Sequence, residues 1–274
     1  MSNTNPAFDR RTALQTVAGA ALASLTGCLS QDSSPSQGSD ADGGPLEQVA
    51  VDGTAVVVDL VADADVDRLN LIQPNGELFA QRSVAAGVQQ LSFDIGTTYP
   101  PGEYDVIARQ GEETVAEQSI EIQPEIHIRE VGLFRNHPEK PWDEVYGESQ
   151  TDSKKNGEAF VTVQNTGSGP TAITELRFTG DIPNSIDNPR GDGIYGNDPV
   201  VVSPGETVDL FSDSFPFGSK IGDDGMGCST SGNRGQFTVI IEVQTNPQEV
   251  TKAYNVEYAG SDQMQNCNIT ISGV

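Results

Sequence analysis

From Val49 onward the chain reads as short runs rich in Val, Ile and Leu, separated by turn residues. Val49–Val51, Ala55–Val61 and Arg68–Ile72 come first, and Pro74-Asn75-Gly76 supplies a hairpin turn before Glu77–Val84. Val88–Ile95, Tyr104–Arg109 and Val115–Ile122 follow, so about seven strands fall within some seventy-five residues, the spacing of a β-sandwich. No helical period competes with this pattern. Gln123-Pro124-Glu125 then breaks the alternation, and Ile126, Ile128 and Val131 start a second strand-rich region. There the pattern predicts an alternating strand from Ala159 that runs into a turn by Pro170, then strands at Ala172–Thr179, Val200–Val202, Glu206–Phe211, Gln236–Thr245, Val250–Tyr258 and Asn268–Ile271, with a long polar loop from Asn136 to Gly157. The expected fold is therefore all-β: two tandem β-sandwiches, over residues 47–123 and 124–274.

Ahead of the strands the pattern is of a different kind. Arg10-Arg11 precede an uncharged stretch, Ala13 to Gly27, that closes on Leu25-Thr26-Gly27-Cys28. It is shorter than the ~20 apolar residues a membrane span needs, and Gln15, Thr16, Gly19 and Ser24 interrupt it. These pieces resemble a twin-arginine export signal followed by a lipobox, with Asp9 standing where such signals have Ser or Thr. The resemblance implies that residues 1–27 are removed and that Cys28 becomes the first residue of a lipid-anchored chain on the outer face of the cell membrane. Residues 28–46, rich in Ser, Gly and Asp, offer almost nothing to bury and predict a disordered tether between lipid and first sandwich.

The 274 residues hold 40 Asp plus Glu against 15 Lys plus Arg, a formal net charge of -25, and only five of the bases are lysines. Without a basic stripe, the chain is no candidate for nucleic acid or for electrostatic docking on an anionic membrane surface. Removing residues 1–27 takes away two arginines and one aspartate and leaves -26, so the acidity belongs to the exported part. Such a surface repels itself in dilute buffer, whereas molar salt shrinks the screening length to about 3 Å. An ordinary acidic secreted protein shares the charge excess, but acid excess, scarce lysine and many small residues together favour a halophile.

Asn165-Thr166-Gly167 at one strand end, Pro204-Gly205-Glu206 before another and Gly235-Gln236-Phe237 at the start of a third resemble the adhesion-related immunoglobulin-like domains called CARDB, over about residues 126–259. That resemblance implies a non-catalytic surface domain that binds a protein, an envelope component or a glycan, and it transfers no catalytic residues. Pro100-Pro101-Gly102-Glu103-Tyr104 is similar to the entry of a late sandwich strand, where a tyrosine bonds back to the backbone, so Tyr104 reads as structural.

Chemistry-bearing residues are few. With Cys28 assigned to lipid, Cys228 and Cys267 remain as an even pair whose default in an oxidising compartment is a disulfide, closing a loop of about 40 residues. His127 and His137 are the two imidazoles, and neither sits in a recognisable catalytic or zinc motif. Around the glycines of the insert near Asp181–Pro199, Asp187, Asp192 and Asp198 offer oxygen ligands of the kind calcium takes, at a spacing that matches no known calcium loop. No other cofactor is expected. Asn268-Ile269-Thr270 fits the acceptor pattern for N-glycosylation. Trp142, Tyr146 and Tyr195, with Phe215 and Phe217, either form a recognition surface or fold back as a lid on their own sandwich. A calcium-dependent module or hydrolase built on the Asp-rich insert, and an accessory or solute-binding component of a transporter, remain the rival functions.

Overall fold

A computed structural model describes residues 44–138, 156–185, 191–196, 198–218, 226–245, 249–261 and 266–274. The export motif at Arg10 and Arg11, the lipid site at Cys28, the tether up to residue 43, and the loop with Trp142 and Tyr146 lie outside the described residues.

The described chain is built of strands: β1 Leu46–Asp52, β2 Ala55–Leu60, β3 Arg68–Ile72, β4 Leu78–Ser83, β5 Gln90–Asp94, β6 Gly102–Gln110, β7 Glu113–Ile122, β8 Ile126–Leu133, β9 Ala159–Asn165, β10 Thr171–Gly180, β11 Val200–Val202, β12 Thr207–Phe211, β13 Asn233–Val243, β14 Glu249–Ala259 and β15 Asn268–Gly273. Several of them alternate buried and more exposed positions. In β2, Val56, Val58 and Leu60 are buried while Ala55, Val57 and Asp59 lie on the outer side, the period of two that a half-buried strand requires.

The first seven strands form a three-stranded sheet, β1-β2-β5, and a four-stranded sheet, β4-β3-β6-β7. Between the sheets lies one core that includes Val56, Leu69, Leu71, Phe93 and Val106. The next eight repeat the same wiring: β8-β9-β12 form one sheet and β11-β10-β13-β14 the other, with β15 added beyond β14. A second core around Val161, Ile173, Phe178, Phe237 and Ile241 fills that sandwich. Non-consecutive neighbours in antiparallel sheets, arranged alike in both halves, make each a Greek-key sandwich of immunoglobulin-like type.

Local chemistry accounts for the corners. At Pro74-Asn75-Gly76, Gly76 takes φ +83°, its N–H donates to Gln73 O (2.8 Å), and Asn75 Oδ1 accepts Glu77 N–H (2.9 Å), which closes the β3–β4 hairpin. Tyr104, fully buried at the start of β6, donates its hydroxyl to Pro100 O (2.8 Å), the backbone tie expected of it. Cys228 and Cys267 form a disulfide with Cα atoms 5.9 Å apart, joining the segment before β13 to the residue before β15.

Candidate functional site

Where β7 passes into β8, the two sandwiches meet through side chains and backbone that leave the linker little freedom. Gln123-Pro124-Glu125 is gripped by the turn that follows β9: Ser168 and Gly169 N–H donate to Gln123 O (2.8 and 3.1 Å), and Thr166 N–H donates to Glu125 O (2.8 Å). Asn165 organises that turn. Its buried side-chain amide donates to Gly169 O (2.8 Å) and Val202 O (3.1 Å), and its Oδ1 accepts from Glu125 N–H (3.1 Å) and Gly167 N–H (3.0 Å). On the far side, Tyr99 Oη donates to Pro170 O (2.9 Å), Thr245 Oγ1 to Thr97 O (2.8 Å) and Thr97 Oγ1 to Gln244 Oε1 (2.7 Å). Gly167 and Gly169 have no alternative here, because a Cβ on either would collide with Gln123 or Tyr99. Burial, aided by Tyr104, pushes the Tyr99 phenol well above its usual range, so it stays a neutral donor.

The second polar cluster was not foreseen. His137 is 3% exposed, its ring edge-on to Phe160 and Phe211 (centroids 4.8 and 5.4 Å apart), and its Nε2 lies 2.9 Å from Asp209 Oδ2. Thr162 Oγ1 donates to the other carboxylate oxygen (2.5 Å). An Asp–His pair supplies two of the three members of a hydrolytic triad, but this imidazole is sealed by aromatic rings, which suits a polar pin at the edge of the core rather than a proton carrier at a substrate. Ser212, next along the chain from Phe211, accepts Ala159 N–H with its Oγ (3.0 Å) and donates to Ser214 O (2.8 Å). No sequence signal linked His137 to Asp209, since the pairing follows from the fold of β8, β9 and β12.

Of the residues expected to form sites, the structure describes Asp192, Tyr195, Asp198, Cys228, Cys267 and Asn268. Asp192 closes its own turn: Oδ1 accepts Ile194 N–H (3.0 Å) and its carbonyl accepts Leu176 N–H (2.8 Å). Asp198 is exposed, and Asp187 lies outside the described residues. Among the described residues, no three His, Cys, Asp or Glu side chains come together as metal ligands would. Tyr195 is half-buried, its N–H donating to Phe211 O (2.7 Å). Phe217, in the segment after β12, is fully buried between Phe178 and Phe237 (centroids 6.1 and 5.2 Å), so this aromatic serves the core as a lid would. Cys228 and Cys267 pair as expected, and Asn268 sits exposed at the first position of β15. No helix among the described residues is long and apolar enough to cross a membrane.

No family model matches the chain, and no curated protein matches it in sequence. Solved structures similar to it include a two-domain fibronectin type-III segment of chicken tenascin, at 11% identity and a TM-score of 0.26 over 85% of this chain and 98% of that one. A β-glucuronidase from glycoside hydrolase family 2 (12%, 0.22, 78% of this chain and 19% of that one) and a β-glycosidase from Bacteroides vulgatus (14%, 0.20, 77% and 23%) are also similar. The chain spans about a fifth of the length of the two glycosidases. Strand order and the paired cores define the class: tandem immunoglobulin-like β-sandwiches, an architecture that suits a binding module.

Proposed function

We propose that the chain is an exported lipoprotein, anchored through Cys28 to the outer face of the cell membrane, whose two sandwiches form a non-catalytic module that binds a protein, an envelope component or a glycan. The observation that carries this reading is the economy of its three cysteines. Cys228 and Cys267 are joined to each other, which suits an oxidising compartment, and Cys28 is left at the end of the Arg10-Arg11 signal, where a lipid would be attached. The sealed His137 and the turn-bound Asp192 support binding over hydrolysis, and the CARDB-like motifs point the same way. Acidic residues over both sandwiches keep the module soluble in concentrated salt, in keeping with a haloarchaeal origin.

Cys28→Ser tests the anchor. Expressed in cells with a twin-arginine route, the wild-type chain should sediment with membranes and the variant should appear in the medium. Membrane association that survives the substitution contradicts the reading.

A further inference from the structure

Sheet edges invite unwanted pairing, and an acidic chain can defend them with charge, irregularity or brevity. Most edges of this fold are defended so. β1 carries Glu47 and Asp52 and a register shift, β4 carries Arg82 and a register shift, and β5 carries Asp94. β7 carries Glu113, Glu117 and Glu121, β8 carries Arg129 and Glu130 at a bulge, and β12 carries Asp209. β11 is three residues long. Among the described residues β15 is the exception. It runs Asn268–Gly273 with no charged residue and no proline, in unbroken register with β14 from Ala259↔Asn268 to Tyr254↔Gly273.

The same strand carries the Asn268-Ile269-Thr270 triplet, and the structure places its members in usable positions. Ile269 points inward at 6% exposure, while Asn268 and Thr270 are both exposed on the opposite, outer face. Opposite Asn268 stands Ala259, a small neighbour that leaves room above the side chain. Cys267, immediately before it, is tied into the disulfide, so the acceptor sits at a fixed point of the surface.

We propose that Asn268 carries an N-linked oligosaccharide that shields the β15 edge, which among the described residues pairs with β14 alone. The donor is a sugar chain activated on a lipid-linked phosphate or pyrophosphate. Asn268 Nδ2 forms a bond to the anomeric carbon, the anomeric carbon–oxygen bond to phosphate breaks, the lipid phosphate leaves with the bonding pair, and the amide proton passes to a base of the transferase. A glycan on the outer face beside the free edge excludes a second strand by its bulk and hydration, doing for β15 what charge does for the other edges. This inference rests on the export proposed above.

The test takes full-length protein from the membranes of the cells that make it and reads the mass of the peptide containing Asn268. A glycan mass on that asparagine is expected, lost completely in Asn268→Gln and in Thr270→Val and retained in Thr270→Ser. Asn268→Gln should also raise self-association in sedimentation, whereas Asn268→Lys, which loses the glycan but charges the edge, should stay monomeric. An unmodified Asn268 in surface-exposed protein with the Cys228–Cys267 bond formed overturns the glycan and leaves export standing. Protein held in the cytoplasm with both cysteines reduced overturns both. Asn268→Lys associating as strongly as Asn268→Gln overturns the shielding role.

Discussion

Replacing Asn165 by Ala removes the side chain that ties the turn after β9 to itself, to the linker and to β11. Four hydrogen bonds vanish: two from the amide to Gly169 O and Val202 O, and two to Oδ1 from Glu125 and Gly167 N–H. Each ordinary hydrogen bond is worth about 1 kcal/mol net, and a buried group left unmet costs about 1–3 kcal/mol. Gly169 and Val202 are buried, so their carbonyls lose a partner that water cannot easily replace, whereas Glu125 N–H is partly buried and can be rehydrated. The expected loss is therefore about 3 kcal/mol, read by urea unfolding at unchanged m-value, or a fall of roughly 6–12 °C in Tm for a folded unit of this size. Hydrogen exchange should accelerate first at Thr166, Ser168 and Gly169, whose N–H groups hold the linker. Gly169→Ala attacks the same place by bulk, since its Cβ would meet Tyr99 Oη and Gln123 N, and should separate one thermal transition into two. An Asn165→Ala loss below about 1 kcal/mol, with exchange at the linker unchanged, would refute the idea that this side chain locks the junction.

Three other outcomes follow from the structure. Reducing Cys228–Cys267, at a sequence separation of 39, should cost about 4 kcal/mol by loop-closure entropy, seen as a lower urea midpoint in reductant that Cys228→Ser reproduces. Burial pushes the Tyr104 phenol up to about 12, and burial together with Glu130 does the same for Tyr254, while Tyr99 and Tyr258 also move up. Their unfolded-state value is 10.0, so the folded chain holds protons that the unfolded chain releases, and stability should be level below about pH 10 and fall as pH rises towards 12; a flat Tm across that window would contradict it. Raising salt from 0.1 M to several molar should raise Tm by screening the acidic surface, and a Tm that falls with added KCl would exclude the halophilic reading.

Much of the fold was legible because alternation is a local property. β3 and β11 occupy the spans their patterns predict, β9 starts at Ala159 as its pattern does, and Tyr104 makes the backbone bond its Pro-Pro-Gly approach announces. What the sequence concealed was long-range. Asn165-Thr166-Gly167 reads as a strand end, and nothing in the triplet says that it will close on Gln123–Glu125, because that contact depends on how two sandwiches dock. His137 precedes a proline in a polar stretch and reads as loop, yet β9 and β12 bring Phe160, Phe211 and Asp209 around it. Calcium loops and Asx turns draw on the same residue types, so the aspartates of the insert fit either pattern by sequence, and only the fold shows that Asp192 Oδ1 accepts Ile194 N–H.

The account stands or falls at Cys28. Protein extracted from the membranes of the cells that make it should yield an N-terminal fragment that begins at Cys28 and carries the added mass of a lipid, with residues 1–27 absent. A fragment that keeps Arg10 and Arg11, with Cys28 an unmodified thiol, would contradict both the export signal and the anchor.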